Sequence, residues 1–170
     1  VTDAGVSGSI AVACGLVFGG VLVFAPRDGL VAKTRDWFSL QVKITSEDIL
    51  GLMYRSGERG DRVTRGDLQS IDPTWSRTMA IRQLRRKSLL TESRDGLALT
   101  SAGRAPAQSL VRAHRLWESY MAKHFDVPAE HLHETAHSVE HYIDEELHAE
   151  LTEELDQPSA DPHGTTIPPA

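Results

Sequence analysis

From Ala4 to Pro26 the chain carries no charged side chain, and within that stretch Ile10–Ala25 reads IAVACGLVFGGVLVFA. An apolar run that approaches about 20 residues is long enough for a membrane-spanning helix, which limits how this end of the chain can fold. A cleaved signal peptide would place basic residues before the run, whereas here Asp3 precedes it and Arg27, Lys33, Arg35 and Lys43 follow it. The basic flank orients everything downstream toward the cytoplasm. The expectation is a transmembrane helix over residues 1–26 in the inner membrane, a basic linker over 27–44, and a cytoplasmic C-terminal part. The first residue is Val1 rather than Met, as expected of a piece of a longer protein.

Charge is segregated along the remainder. Residues 27–115 hold 17 of the 18 Lys and Arg against 10 Asp and Glu, while residues 116–170 hold Lys123 alone against 13 acids. The overall net charge of −6 is thus the sum of a basic segment and a strongly acidic one. All eight histidines lie at or after His114, in or beside the acidic segment. The lone Cys14 cannot form an internal disulfide, which points to an intracellular soluble part.

The basic segment reads as helix, helix, helix and hairpin, the plan of a winged helix-turn-helix over residues 45–105. Ser46 can cap a first helix with Glu47 and Asp48 in its first turn, where negative charge suits the dipole. Two further helices, Thr64–Leu68 and Pro73–Leu90, flank a turn at Asp72-Pro73, and Arg94-Asp95-Gly96 reads as the turn of a β-hairpin. In such a motif the start of the second helix approaches base edges, which makes Thr74, Trp75, Ser76, Arg77, Thr78 and Arg82 the candidate DNA contacts. The stretch before Pro73 is short for the supporting helix.

Residues 106–156 read as two helices, from about Pro106 to Phe125 and from about Ala129 to Leu155, separated at Asp126-Val127-Pro128; the Pro-rich tail covers 157–170. In the second helix, His133 is followed by His137, Glu140 and His141 at i+4, i+7 and i+8. At about 3.6 residues per turn these four side chains share one stripe. His114 and Glu118 form an i, i+4 pair on the preceding helix. Mixed imidazole and carboxylate ligands without thiolate suit Mn²⁺, Fe²⁺, Co²⁺ or Zn²⁺. His133-Glu134-Thr135-Ala136-His137 also fits HExxH, so a zinc metalloprotease stands as a minor alternative.

The three separated motifs His114-Arg-Leu-Trp-Glu118, His133-x3-His137-x2-Glu140-His141 and Asp161-Pro-His-Gly-x2-Ile-Pro168 resemble the metal-binding and dimerisation domain of the iron-dependent repressor family. The resemblance implies a mainly α-helical chain and a regulator rather than an enzyme: a homodimer that binds operator DNA when loaded with Mn²⁺, Fe²⁺ or Zn²⁺. It implies one metal site from His114, Glu118 and His133, and another from Asp48, His137, Glu140 and His141. Upstream, Ser7-Gly-Ser-Ile-Ala-Val with Phe24-Ala-Pro-Arg-Asp-Gly-Leu30 is similar to the last transmembrane helix of metal-importing ABC permeases. Together the resemblances imply a membrane-tethered metal sensor, with the remaining permease and its ATPase subunit as partners. Its alternative output is control of that permease without DNA.

Overall fold

The computed structural model describes residues 5–69, 71, 74–93, 96–125 and 128–169. The turn expected at Asp72-Pro73, the Arg94-Asp95 part of the hairpin turn and residues 126 and 127 of the expected break lie outside the described residues. The chain divides into two units, one ending at Val42 and one beginning at Lys43.

The first unit contains α1 (Val6–Phe24) and the start of α2 (Leu30–Glu58). Apolar side chains of α1 are exposed, including Leu16, Phe18 and Phe24. Among the described residues no helix is long and apolar enough to cross a membrane, so the structure does not carry the span expected over residues 1–26. α1 ends at Phe24, ahead of Ala25-Pro26. The basic linker expected over 27–44 is also corrected, because helix begins at Leu30.

That early start changes the reading of Glu47 and Asp48. They sit in the middle of α2, where Ser46 is no N-cap and neither carboxylate meets free N–H groups of a first turn. Dipole stabilisation therefore does not explain Asp48.

In the second unit, α3 (Arg65–Gln69) and α4 (Thr74–Arg86) precede an antiparallel pair, β1 (Leu90–Ser93) and β2 (Gly96–Leu99), with Leu90 opposite Leu99 and Ser93 opposite Gly96. α4 packs through Ser76, Ala80 and Leu84. At the exit of the hairpin Thr100 caps α5 (Ser101–His124), its Oγ1 accepting from the Gly103 N–H at 3.0 Å and donating to the Ser88 carbonyl at 2.7 Å. A Cβ on Gly103 would stand 2.0 Å from the Leu89 carbonyl oxygen, so only glycine lets α5 begin here. The helix expected from Pro106 starts five residues earlier because of this cap, with Pro106 inside it.

The helix expected from Ala129 to Leu155 is two helices, α6 (Ala129–Val139) and α7 (Glu145–Glu154), with a 3₁₀ turn over Glu140–Tyr142 between them. Asp144 makes the break: its Oδ1 accepts from the Leu147 N–H at 2.9 Å and caps α7. Leu116 of α5, Leu151 of α7 and Ile167 form a buried cluster, with Trp117, Tyr120, Ile143, Leu147 and Leu155 packed on it. The tail is folded rather than loose. Asp161 Oδ1 accepts from the His163 and Thr165 N–H groups at 2.9 and 2.8 Å, and Arg112 donates to the Pro168 carbonyl at 2.6 Å.

Arg115 joins these parts. Its guanidinium donates to both Glu58 carboxylate oxygens at 3.0 and 2.6 Å and to the Thr166 carbonyl at 2.6 Å, and lies 3.7 Å from Asp161. Only 6% of its side chain is exposed, against 33% for Glu58 and 5% for Asp161. Replacing Arg115 with methionine leaves Asp161 buried beside no cation. The expected loss is about 3 kcal/mol, the lower end for a broken buried pair because Glu58 keeps contact with water; urea unfolding measures it, and a loss below about 1 kcal/mol refutes the clamp.

Candidate metal centre

Two clusters of ligand-type side chains lie in the second unit, each with its ligand atoms within 4.8 Å of one another. The first consists of His114 and Glu118 from α5 and His133 from α6. One helical turn separates His114 from Glu118, bringing Nε2 of the histidine to 3.1 Å from Oε1 of the glutamate. Across the helix pair, His133 Nδ1 is 2.9 Å from His114 Nε2 and 3.2 Å from the same Glu118 oxygen. His114 and Glu118 are buried, whereas the His133 side chain is 65% exposed and forms the open side.

The second cluster consists of Asp48 from α2, His137 from α6, and Glu140 and His141 from the 3₁₀ turn. His141 Nε2 and Asp48 Oδ1 are 3.3 Å apart, and both are buried with no hydrogen bond of good geometry. Buried polar atoms are seldom left so. This convergence of carboxylate and imidazole atoms, with Glu140 Oε1 3.9 Å from His141 Nε2, fits a cation with such ligands that would take the place of a proton on His141. Glu140 reaches both clusters, with Oε2 2.5 Å from His114 Nδ1 and Oε1 3.1 Å from His137 Nδ1.

All seven candidate metal ligands thus fall into the two expected groups, but the single stripe does not. His133 turns to α5, while His141 turns to α2. The same split corrects the HExxH alternative: His133 and His137 belong to different clusters, so they do not gather on one ion, and the Glu134 side chain lies outside the described residues.

Glu47 was not anticipated. Its Oε2 accepts from His141 Nδ1 at 2.8 Å, which turns Nε2 toward Asp48, the arrangement by which carboxylates orient ligating histidines. Lys43 adds to this grip, donating to the His141 carbonyl at 3.3 Å and lying 3.8 Å from Glu47. The available signal was spacing: Lys43 and Glu47 lie four positions apart, on one face of any helix that starts before residue 43.

Residues 100–169 match the family described as iron dependent repressor, metal binding and dimerisation domain. Among solved structures, a manganese-dependent transcriptional repressor in complex with manganese is 28% identical, with TM-score 0.67 over 74% of this chain and 59% of its own. ScaR with bound Zn²⁺ is 31% identical, with TM-score 0.61 over 73% and 59%. Over that part the chain has the metal-dependent repressor fold. A probable metal transport system membrane protein of Chlamydia pneumoniae is 35% identical over 95% of this chain, which spans 38% of that relative's length. These names are those of regulators and a transport protein rather than of enzymes.

In this repressor-type fold the candidate DNA contacts divide. Thr74, Trp75, Thr78 and Arg82 are exposed on α4. Ser76 is fully buried and accepts from Thr45 Oγ1 at 2.9 Å. Arg77 Nη1 donates to the carbonyls of Leu68, Gln69 and Ile71 at 3.0–3.1 Å, satisfying the end of the five-residue α3. Neither Ser76 nor Arg77 is therefore presented for DNA, which corrects the expectation for both. The alternation of inward and outward positions on α4 accounts for Ser76, and the shortness of α3 accounts for Arg77.

Protons hold the two clusters together electrostatically. Burial pulls His141 down, but the carboxylates of Asp48 and Glu47, and then the charge of Glu140, outweigh it and raise His141 to about 9. Burial pushes Glu140 up, but hydrogen bonds from His114 and His137, with the charges of His114 and Arg55, bring it down to about 2. Burial likewise opposes the charged forms of His114 and Glu118, yet their mutual bonding raises the first and lowers the second. The raised His141 stabilises the fold fully below its ordinary 6.5, and that contribution is lost as pH climbs through about 9. The lowered Glu140 contributes fully above its ordinary 4.5, and its contribution is lost as pH falls through about 2. Thermal denaturation in chelator should therefore show the highest Tm between pH 4.5 and 6.5 and a decline from 6.5 to 9. A Tm that rises steadily over the upper interval contradicts this.

Proposed function

We propose that the chain is a divalent-metal-responsive regulator of the iron-dependent repressor type, loaded with Mn²⁺, Fe²⁺ or Zn²⁺, that acts as a homodimer on operator DNA to control metal uptake. The observation that carries the reading is Asp48: a ligand-type carboxylate from α2, ahead of the helix-turn-helix, that faces ligand-type side chains of α6 and the 3₁₀ turn. His114, Glu118 and His133 would hold one ion, and Asp48, His137, Glu140 and His141 another. A bound divalent cation supplies charge that replaces the protons now shared among these groups. Asp48 and Glu47 then hold α2 against the 3₁₀ turn, biasing an equilibrium between two arrangements of the DNA-facing part.

The exposed residues Thr74, Trp75, Thr78 and Arg82 fit a DNA-facing surface, with Arg85, Arg86 and Lys87 beside them for phosphates. The dimerisation domain named for residues 100–169 supports the homodimer. For the membrane tether, the support is the uncharged and exposed α1, together with the membrane-protein relative that aligns over 95% of the chain. On this reading the chain is part of a permease fused to its sensor, placed at the inner membrane with the second unit in the cytoplasm.

A second reading keeps metal sensing but routes the output to the attached permease and its ATPase subunit, without DNA. The short α3 and the inward Ser76 and Arg77 favour it.

Fluorescence anisotropy on DNA from upstream of the native gene separates the two. The DNA reading expects binding only with Mn²⁺ or Zn²⁺ present and log affinity falling linearly with log salt. Arg82→Ala should weaken that binding about tenfold, in the range of a lost side-chain contact to DNA. Arg77→Ala should lower Tm instead. Metal binding without any metal-dependent DNA affinity leaves the permease reading standing.

A further inference from the structure

We propose that Arg55 sets the affinity of the second cluster: its guanidinium is a fixed positive charge, built in beside the ligands, that weakens their hold on a divalent cation. The inference rests on the metal-binding reading above.

Asp48, Gly51 and Arg55 stand at i, i+3 and i+7 of α2, so they share one stripe of the helix. Side chains on a helix lean toward its N-terminus, which sends the long Arg55 side chain back along that stripe. Gly51 leaves it room. A Cβ on Gly51 would meet Arg55 Nη2 at 3.3 Å, Arg55 Nη1 at 3.5 Å and the Leu110 side chain of α5 at 3.2 Å. The guanidinium therefore lies where a side chain at position 51 would stand, one helical turn from Glu47 and Asp48.

Arg55 Nη1 is buried with no hydrogen-bond partner, and so is Asp48 Oδ1 on the same stripe. What Nη1 does there it does through its charge rather than through a bond. That charge reaches the cluster, since it is one of those that favour the carboxylate form of Glu140. Asp48 and Glu140, with Glu47 beside them, bring together three carboxylates. A divalent ion and Lys43, 3.8 Å from Glu47, together balance these three. Arg55 is then one positive charge more than the loaded cluster needs. In the empty cluster the same charge offsets carboxylates that face no ion. A group that favours the empty state and opposes the loaded one raises the free-ion concentration at which the two exchange. Arg55 touches no ion on this account, and its part is that of a charge that sets the threshold of the sensor.

The test is calorimetric titration of the full chain with Mn²⁺, repeated with Zn²⁺, for the wild type and Arg55→Met, which keeps an apolar stem over Gly51 and removes the charge. The variant should bind more tightly by about tenfold, and the gap should narrow as NaCl is raised, because a half-buried guanidinium acts partly through solvent. Arg55→Lys keeps the charge and should return the affinity toward that of the wild type. A residue that only props up the fold would instead weaken binding when replaced, at every salt concentration. His137→Ala removes the exposed ligand of the second cluster, and in that background the gain from Arg55→Met should vanish. Affinity of Arg55→Met within about twofold of the wild type, weaker binding, or a gain that survives His137→Ala overturns the proposal and leaves the sensor reading intact. No binding of either ion by the wild type overturns both. Should Arg55→Met fail to fold, Arg55→Gln, neutral but polar, decides by the same criteria.

Discussion

Two carboxylates, Glu118 and Glu140, are sunk beside His114 with almost no exposed surface, and much of the second unit is arranged so that they stay charged there. An unpaired charge at such depth costs several kcal/mol, so the imidazole between them is a condition of the fold as much as part of a site. Close approach of the neighbouring helices makes the arrangement possible. Ala107 and Ala113 on α5 and Ala136 on α6 are all but fully buried, so these helices carry small side chains where they pack against their neighbours.

The same helix α5 also fixes α2, by a different residue. His114 and Arg115 are neighbours, so their side chains leave α5 about 100° apart. One turns to the ligand clusters, and the other reaches Glu58 at the end of α2 and Asp161 in the folded tail. The part of α2 from Lys43 onward is thus gripped at two places about three turns apart: by His141 near Glu47 and Asp48, and by Arg115 at Glu58. The Arg115 contact needs no metal. A cation in the second cluster can strengthen only the other.

Which residues share a cluster was legible from spacing and from the resemblance together, since i, i+4 pairs meet wherever a helix is regular. The break in the helix that carries them was not. The spacing His133-x3-His137-x2-Glu140-His141 fits an unbroken helix, and the cap that interrupts it comes from Asp144, an acid among acids with nothing local to single it out. Glu47 escaped for a related reason. Ser46-Glu-Asp48 looks like a helix start, and only the helical content of residues 30–44, which read as a linker, moves these acids to mid-helix and turns both toward His141. Arg77 reads as a base contact by position, but three carbonyls at the end of a five-residue helix claim it first. In each case a tertiary partner outside the local window set the outcome.

The uneven charge of the chain acquires a structural meaning from these contacts. Five of the seven ligand-type side chains come from the acidic segment and His114 lies two residues before it, whereas Asp48 comes from well inside the basic segment. The first cluster lies wholly on α5 and α6, so by itself it has no contact through which to act on α2 or α4. The second cluster touches α2 directly through Asp48, and through Glu47 by way of His141. Glu140 is the side chain that touches both clusters, through His114 Nδ1 on one side and His137 Nδ1 on the other.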